Sequence, residues 1–422
     1  MNLLTLARLA LYSAWNRRYS LGLTLVSITL AVFLLLGIER LREGAREGFA
    51  RSLAGTDLVV GARGSSLQLL LYSVFRLGEP SGGMSWDSAQ RIAAHPAVAW
   101  TVPISLGDAH QGFPVVGTSQ DYFRHYRHGE AQALQFASGR SFDGLFEAVL
   151  GAEVARRLGH GLDAQIVLAH GDPGFALAEH GDKPFRVVGI LAPTGTPVDR
   201  SVHISLAAME AIHLDWQGGV PIPGFSIPPE LVRKFDLTPK SITAQLVGLK
   251  RRSDVFAMQR EINTDDGEAL TAAMPGVVLD QLWRMLGNGE RALQLIAGLV
   301  ALVSLAGLVA TILASLDARR RELAILRSVG ARPRELMGLL ALEGLGVTLA
   351  GIGLGLGLLQ LAVWLGAPVL QQRFGLMLAS GWPAWQELWW LLAILGAGLL
   401  ASFLPALRAY RLSLADGLSP RL

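Results

Sequence analysis

Four long apolar runs stand out along the chain. Leu21 to Ile38 holds eighteen residues without a charge. As a helix rising about 1.5 Å per residue it covers about 27 Å, enough for the hydrocarbon core of a bilayer. Ala292 to Leu316 forms the second run, Leu336 to Leu365 the third with Glu343 as its one charge, and Leu388 to Leu404 the fourth, ending at Pro405. Each predicts a transmembrane helix. The first is followed directly by Glu39-Arg-Leu-Arg-Glu and not by a small-residue cleavage site, so a retained signal anchor is expected. The predicted order is a cytoplasmic segment 1–18, span 19–38, an outer region 39–291 with its core at about 55–280, span 292–316, a cytoplasmic loop 317–335, span 336–365, a short outer loop 366–387, span 388–404 and a cytoplasmic tail 405–422.

The outer region has a different texture. Glu39 to Leu53 mixes charged and apolar positions without proline, so the first span is expected to continue as a helical stalk; Leu279 to Gly289 leads into the second span in the same way. Between the stalks, short β-branched runs predict strands at Leu58-Val-Val, Val115-Val116, Gln165-Ile-Val-Leu, Phe185 to Leu191 and Ser241 to Val247. Helices are predicted at Ser85–Ala94, Ala148–Leu158, Ser205–Ile212 and Asp254–Asn263, with Ser85 as an N-cap that has Ser88 where an acid would complete a capping box. Trp216 to Pro229, with four prolines and three glycines, reads as an excursion. The fold class is therefore membrane α-helical, four transmembrane helices, with a large outer α+β domain on helical stalks.

Composition agrees. Hydrophobic residues make up 51% and charged residues 17%, mean hydropathy is +0.39, and there are 48 glycines. Disorder is excluded by the apolar surface available to bury. The absence of cysteine excludes disulfides and any thiolate metal or redox site. A net charge of +3 does not point to nucleic acid. The placement of charge decides orientation. Arg8, Arg17 and Arg18 precede the first span, Arg319, Arg320, Arg321, Arg327, Arg332 and Arg334 crowd the loop before the third, and Arg408, Arg411 and Arg421 follow the fourth, whereas the loop before the fourth has only Arg373. The excess of arginine marks the cytoplasmic side, which puts both termini inside and the main domain outside.

Candidate chemistry is sparse. Glu322 to Val329 is predicted to form a short amphipathic helix that Gly330 can end, fit either for an anionic lipid surface or for a groove on a cytoplasmic partner. Glu343 is a carboxylate inside a span near its inner end, read as a structural or coupling group and not as a proton carrier. Gly351 with Gly355, and Gly353 with Gly357, make two small-xxx-small pairs suited to close helix packing within the chain or between chains. The nine histidines lie between His95 and His213; His125 and His128 share a helix-compatible spacing near Asp121, and the rest are scattered and read as surface residues. No residue is assigned to a metal, since such a site needs three or four convergent ligands. Gly61-Ala-Arg-Gly-Ser-Ser reads as a turn leading into a helix Leu67–Phe75, whose run Leu67-Gln-Leu-Leu-Leu-Tyr is a candidate lipid-facing or cargo-facing surface. Neither Gly-x-Ser-x-Gly nor His-Glu-x-x-His occurs, so no catalytic residue is assigned. Gly-x-x-x-x-Gly-Lys-[Ser/Thr] is absent too.

One span, a large outer α+β domain and three closely spaced spans resemble the layout of MacB/FtsX-type ABC transporter permeases, shared by the lipoprotein-releasing LolC/LolE subunits. The segment Asp317-Ala-Arg-Arg-Arg-Glu-Leu-Ala-Ile-Leu-Arg-Ser-Val-Gly-Ala is similar almost position by position to that family's R-x-R-E-[IL]-[AG]-[IL]-[LM]-[RK]-[AS]-[LIV]-G-A motif. The tail from Leu404 resembles the family's P-A-x-R-A ending, with Ser413 where proline is usual, and Leu150 to Gly159 and Phe185 to Leu191 resemble its periplasmic domain. The resemblance implies that the basic segment is a coupling helix docked on an ATPase, with Arg321, Glu322, Leu323, Leu326, Arg327, Gly330 and Ala331 at the contact. It implies a separate ATPase subunit that binds ATP and Mg, no cofactor in this chain, a second permease copy as homodimer partner, membrane lipid around the spans and an unknown periplasmic partner or cargo, in a bacterial inner membrane. The expected function is mechanotransmission onto a lipoprotein, peptide or lipid cargo. A regulator of a periplasmic enzyme and a membrane-anchored receptor or metal sensor are the alternatives.

Overall fold

The structure is a computed structural model, and it describes residues 18–80, 82–172, 175–217, 220–222, 226–318, 328, 330–374 and 381–411. The chain divides into a helical unit, 1–44, 286–369 and 378–422, and an α+β unit, 45–285 with 370–377.

Among the described residues, four helices are long and apolar enough to cross a membrane. The first, Arg18–Arg51, and the second, Pro275–Ala318, run unbroken for 34 and 44 residues. Their charged or mixed ends therefore stay helical, as the sequence leads one to expect. The third is Pro333–Phe374 and the fourth Trp385–Arg411. The fourth does not end at Pro405. Loss of one N–H removes a single rung, which spanning helices tolerate.

The apolar pattern of the helical unit is two-sided. Ile28, Val32 and Leu36 of the first helix are buried against Leu359 and Val363 of the third and Leu391 and Ile394 of the fourth. Leu308 and Ile312 of the second helix pack on Leu336 and Leu340 of the third. Leu295, Leu299, Leu302 and Val303 stay exposed. An outward apolar face of that extent fits a lipid environment or a membrane partner.

Among the described residues, the α+β unit is built on two large sheets, with three two-stranded ribbons beside them. The four-stranded sheet runs Leu270–Ala273, Leu58–Ala62, Ala244–Leu249, Val98–Ile104, antiparallel throughout. The larger sheet runs Gln165–Ile166, Phe185–Leu191, Glu147–Leu150, Val202–Ser205, Phe113–Thr118, Asp108–His110, Ala169–Asp172, Phe175–Glu179, with Phe136–Gly139 also paired to Phe185–Leu191. It is mixed: Phe185–Leu191 pairs parallel with Glu147–Leu150, and Val202–Ser205 parallel with Phe113–Thr118. Val115, Ala148, Leu150, Phe185, Val187, Val202 and Ile204 fill the core beneath it.

Two local readings are corrected and a third gains a partner. Ala148–Leu158 is not one helix; a strand Glu147–Leu150 precedes the helix Ala152–Leu158. Gly151 makes the break, because a Cβ there would overlap the backbone at Val198 and Asp199. The helix after the glycine turn is present as Ser66–Ser73, with Ser65 accepting from the Gln68 N–H, but Leu69, Leu70 and Tyr72 are buried in the core and present no cargo surface. Ser85 does cap Trp86–Ala93, and the missing acid comes from afar: Glu268 accepts from the Ser85 N–H at 2.8 Å.

Candidate functional site

The transmembrane glycines separate into two rows. A Cβ on Gly351 would stand 2.6 Å from Ile28 Cγ2, and one on Gly355 2.7 Å from Val32 Cβ. These two glycines seat the first helix on the third. Gly353 and Gly357 would meet nothing within 4 Å. Two residues turn an α-helix by about 200°, so the second pair points away from the intrachain contact. Packing of the third helix on the fourth uses a reciprocal arrangement that sequence reasoning missed. Gly344 faces Ser402, and Gly398 faces Thr348. Each hydroxyl donates to its own helix four residues back, Thr348 to the Gly344 carbonyl at 2.9 Å and Ser402 to the Gly398 carbonyl at 2.8 Å. The hydroxyls are thus satisfied while each side chain fills the groove of the opposite glycine. Glu343 is buried at 3% exposure in the same region.

Of the coupling residues, Arg321, Glu322, Leu323, Leu326 and Arg327 lie outside the described residues. Gly330 has φ +105°, the conformation that lets glycine end a helix, and it is exposed; Ala331 follows half-buried. Arg332 N–H donates to Glu335 Oε2 at 2.8 Å at the start of the third helix.

The histidines are not all scattered. The register of two antiparallel strands sets His170 opposite Asp108. His180 follows the neighbouring strand Phe175–Glu179, and His213 ends the helix Leu206–His213. Asp108 Oδ1 lies 3.2 Å from His170 Nδ1, 3.3 Å from His180 Nε2 and 3.4 Å from His213 Nε2. His170 Nδ1 and His213 Nε2 are 3.1 Å apart. Burial pushes the Asp108 carboxyl up, but the three imidazole contacts prevail and hold it below the usual range. Burial opposes the charge on His213, yet Asp108 prevails and raises it. The pair singled out by spacing belongs elsewhere: the helix Asp121–His125 ends before His128, and His125 stacks on Trp100. No motif marks the real cluster, because its members come from separate elements. The one usable signal was the confinement of every histidine to the outer segment.

Two family models match the chain in succession. The MacB-like periplasmic core domain matches residues 21–265, and the FtsX-like permease C-terminal model matches residues 295–414. The first alone takes in more than half of the chain. The chain belongs to the MacB/FtsX-type ABC transporter permeases.

This MacB/FtsX-type permease is 23% identical, over 438 aligned residues, to the macrolide export ATP-binding/permease protein MacB of Azoarcus sp. (strain BH72). The match takes in 97% of this chain and 58% of that protein, so the chain spans a little over half the length of its relative. It is also similar to the extracellular domain of the noncanonic ABC-type transporter YknZ from Gram-positive bacteria, at 11% identity over 51% of this chain and 98% of that one, with a TM-score of 0.30. The permease is a membrane protein with an extracellular domain, and the histidine cluster falls within the stretch matched by the periplasmic core model.

Proposed function

We propose that this chain is the membrane subunit of an ATP-driven complex that transmits movement, not one that forms a channel. On this reading both termini are cytoplasmic, residues 39–291 are periplasmic, and two copies pair in the inner membrane. A separate subunit binds ATP and Mg and docks on residues 321–331. Its closure moves the coupling segments, and the long helices carry that motion outward to act on a lipoprotein, peptide or lipid. The observation that carries this reading is the pair of unbroken helices of 34 and 44 residues. At about 1.5 Å per residue they reach about 50 and 65 Å, well beyond a 30 Å hydrocarbon core. A rod that extends past the bilayer suits force transmission. The spans also offer few polar groups to a hydrophilic cargo, with Glu343 the one carboxylate in the third.

The test is co-purification from cells that hold the natural ATPase. The wild-type chain is expected to retain an ATP-hydrolysing subunit, and Leu326→Asp or Gly330→Trp is expected to lose it while the permease stays folded. Retention by both variants, or no such subunit with the wild type, would overturn the proposal. The native absence of cysteine makes a topology test direct. A single cysteine at 327 should resist membrane-impermeant reagent in intact cells, and one at 130 should react.

A further inference from the structure

Asp108, His170, His180 and His213 offer one ligand atom each, and the four atoms lie within 4.8 Å of one another. We propose that they form a metal site for a divalent ion of the Zn(II) type. The proposal does not depend on the ATPase or on any cargo.

The geometry carries it. Ions of this class bind imidazole nitrogen and carboxylate oxygen at about 2.0–2.1 Å in a tetrahedron, so neighbouring ligand atoms stand about 3.3–3.4 Å apart. Four of the six edges, at 3.2, 3.3, 3.4 and 3.1 Å, match that spacing, and the remaining two, from His180 to the other imidazoles, are within 4.8 Å. Without an ion the arrangement is awkward. Three ring nitrogens crowd one carboxylate oxygen, and two of them face each other. A cation at the centre takes a lone pair from all four and needs no proton among them.

The surroundings fit as well. His213 Nδ1 donates to the Met209 carbonyl at 2.8 Å, which fixes its tautomer and turns the Nε2 lone pair inward. Asp108 Oδ2 is buried with no hydrogen-bond partner among the described residues. A buried carboxylate is costly unless a positive charge compensates it. The Trp216 ring lies 4.1 Å from the His180 ring and covers the cluster, with His170 at 5.5 Å and His213 at 5.7 Å. Asp108 and His180 are inaccessible, whereas His170 and His213 each keep 26% of their side chains exposed, so an ion can enter past those two. Three nitrogens and one oxygen suit zinc, nickel, cobalt or copper(II) and not calcium or magnesium. Four protein ligands leave no open position for a substrate water, so the site holds an ion and does not hydrolyse. His110 and His160, 3.2 Å apart, offer only two nitrogens, so they are not a second site of this kind.

The experiment uses the full chain without a polyhistidine tag, purified in detergent, stripped with chelator and dialysed against Zn(II) alone. One equivalent of zinc per chain is expected. Partners behind a ligand already contribute about 10–100-fold to affinity, so loss of two ligands in His170→Ala/His213→Ala should weaken binding by more than 100-fold. Both substituted side chains are partly exposed, which favours retention of the fold, and circular dichroism checks it. Asp108→Asn, nearly equal in shape, is the second probe and should also bind far more weakly. Co(II) should give the intense visible absorption of a tetrahedral site in the wild type only. His125→Ala/His128→Ala should keep the full equivalent. The proposal is overturned if the folded His170→Ala/His213→Ala and Asp108→Asn variants hold as much zinc as the wild type, or if the wild type holds none.

Discussion

Arg40 and Glu387 form a bidentate ion pair inside the helical unit, Nε to Oε1 at 2.9 Å and Nη2 to Oε2 at 3.2 Å, with side-chain exposures of only 7% and 4%. Arg40 sits on the first apolar helix and Glu387 in the first turn of the fourth. Glu387 Oε2 also accepts from the Ala384 N–H at 3.0 Å, and Arg40 Nη2 donates to the Gly381 carbonyl at 3.1 Å. One carboxylate thus starts a helix and anchors it to another. Removal of one partner from a buried pair leaves an uncompensated charge, a loss of about 3–5 kcal/mol, whereas removal of both is far milder. Glu387→Ala and Arg40→Met should each lower the thermal midpoint of the detergent-purified protein. The double variant Arg40→Met/Glu387→Leu should recover most of the loss. A double variant as unstable as the sum of the singles would contradict this account.

The two glycine rows make an internal control. Gly355→Leu forces a side chain into Val32 and should cost about 1–3 kcal/mol through overpacking. Gly353→Leu meets open space and should leave the thermal midpoint of the monomeric unit where it was. Equal effects at both positions would show that the row assignment fails. A shift in oligomeric state with Gly353→Leu alone, read by light scattering, would place a second copy on the outer row.

The helical unit was open to sequence reading because a bilayer demands about twenty apolar residues in a row, and no other feature of the chain imitates that. The sheets were half legible. Phe185 to Leu191 and Ser241 to Val247 declare themselves through β-branched runs, but strand order depends on pairings between distant segments. The merged reading of Ala148–Leu158 failed where Gly151 turns the chain for a steric reason that lies at Val198, far along the sequence. The histidine cluster was illegible for the same kind of reason. His170 and Asp108 are 62 residues apart and meet only through the register of the sheet. Arg40 and Glu387 are separated by 347 residues, and neither carries a motif.

His203 gives a dependence on pH. It is fully buried beside Tyr122 and Phe123, and its ring nitrogen Nδ1 approaches the Val149 carbonyl at 3.3 Å. Burial first, and then the charge of Arg76, pushes its pKa down to about 3. The unfolded chain therefore binds a proton near pH 6.5 that the folded chain refuses, so stability falls as the pH drops through that interval. Between pH 6.5 and 5 the change amounts to about 2 kcal/mol at most. Glu147 acts in a lower window, because the Arg140 contact depresses its carboxyl and its contribution is present above the unfolded carboxylate range. His203→Phe should thus flatten the decline of the thermal midpoint between pH 7 and pH 5. An unchanged slope would exclude His203 as its source.

Lys183 supplies a last prediction, about how the proposed metal site is held. Its ammonium is fully buried and donates to Asp215 at 2.7 and 2.9 Å and to Asp182 at 2.8 Å. Asp215 also accepts from the Ile227 N–H at 2.9 Å and immediately precedes Trp216, the ring that covers His180. The Lys183 N–H in turn donates to the His180 carbonyl at 3.1 Å. The lysine ammonium therefore holds the cover through Asp215, while the backbone N–H at the same position holds the His180 carbonyl. Lys183→Met leaves Asp215 buried without a cation, so the chain should lose about 3–5 kcal/mol and the Trp216 ring that covers His180 should lose its support. Zinc affinity should then fall by about 10–100-fold, in the range of a supporting partner and short of a lost ligand. Lys183→Met/Asp215→Leu separates the two effects. It removes the unpaired charge and should restore much of the thermal midpoint, while zinc affinity stays low because nothing draws Asp215 and Trp216 toward the loop. A double variant that recovered stability and zinc affinity together would show that the lysine acts on the fold alone.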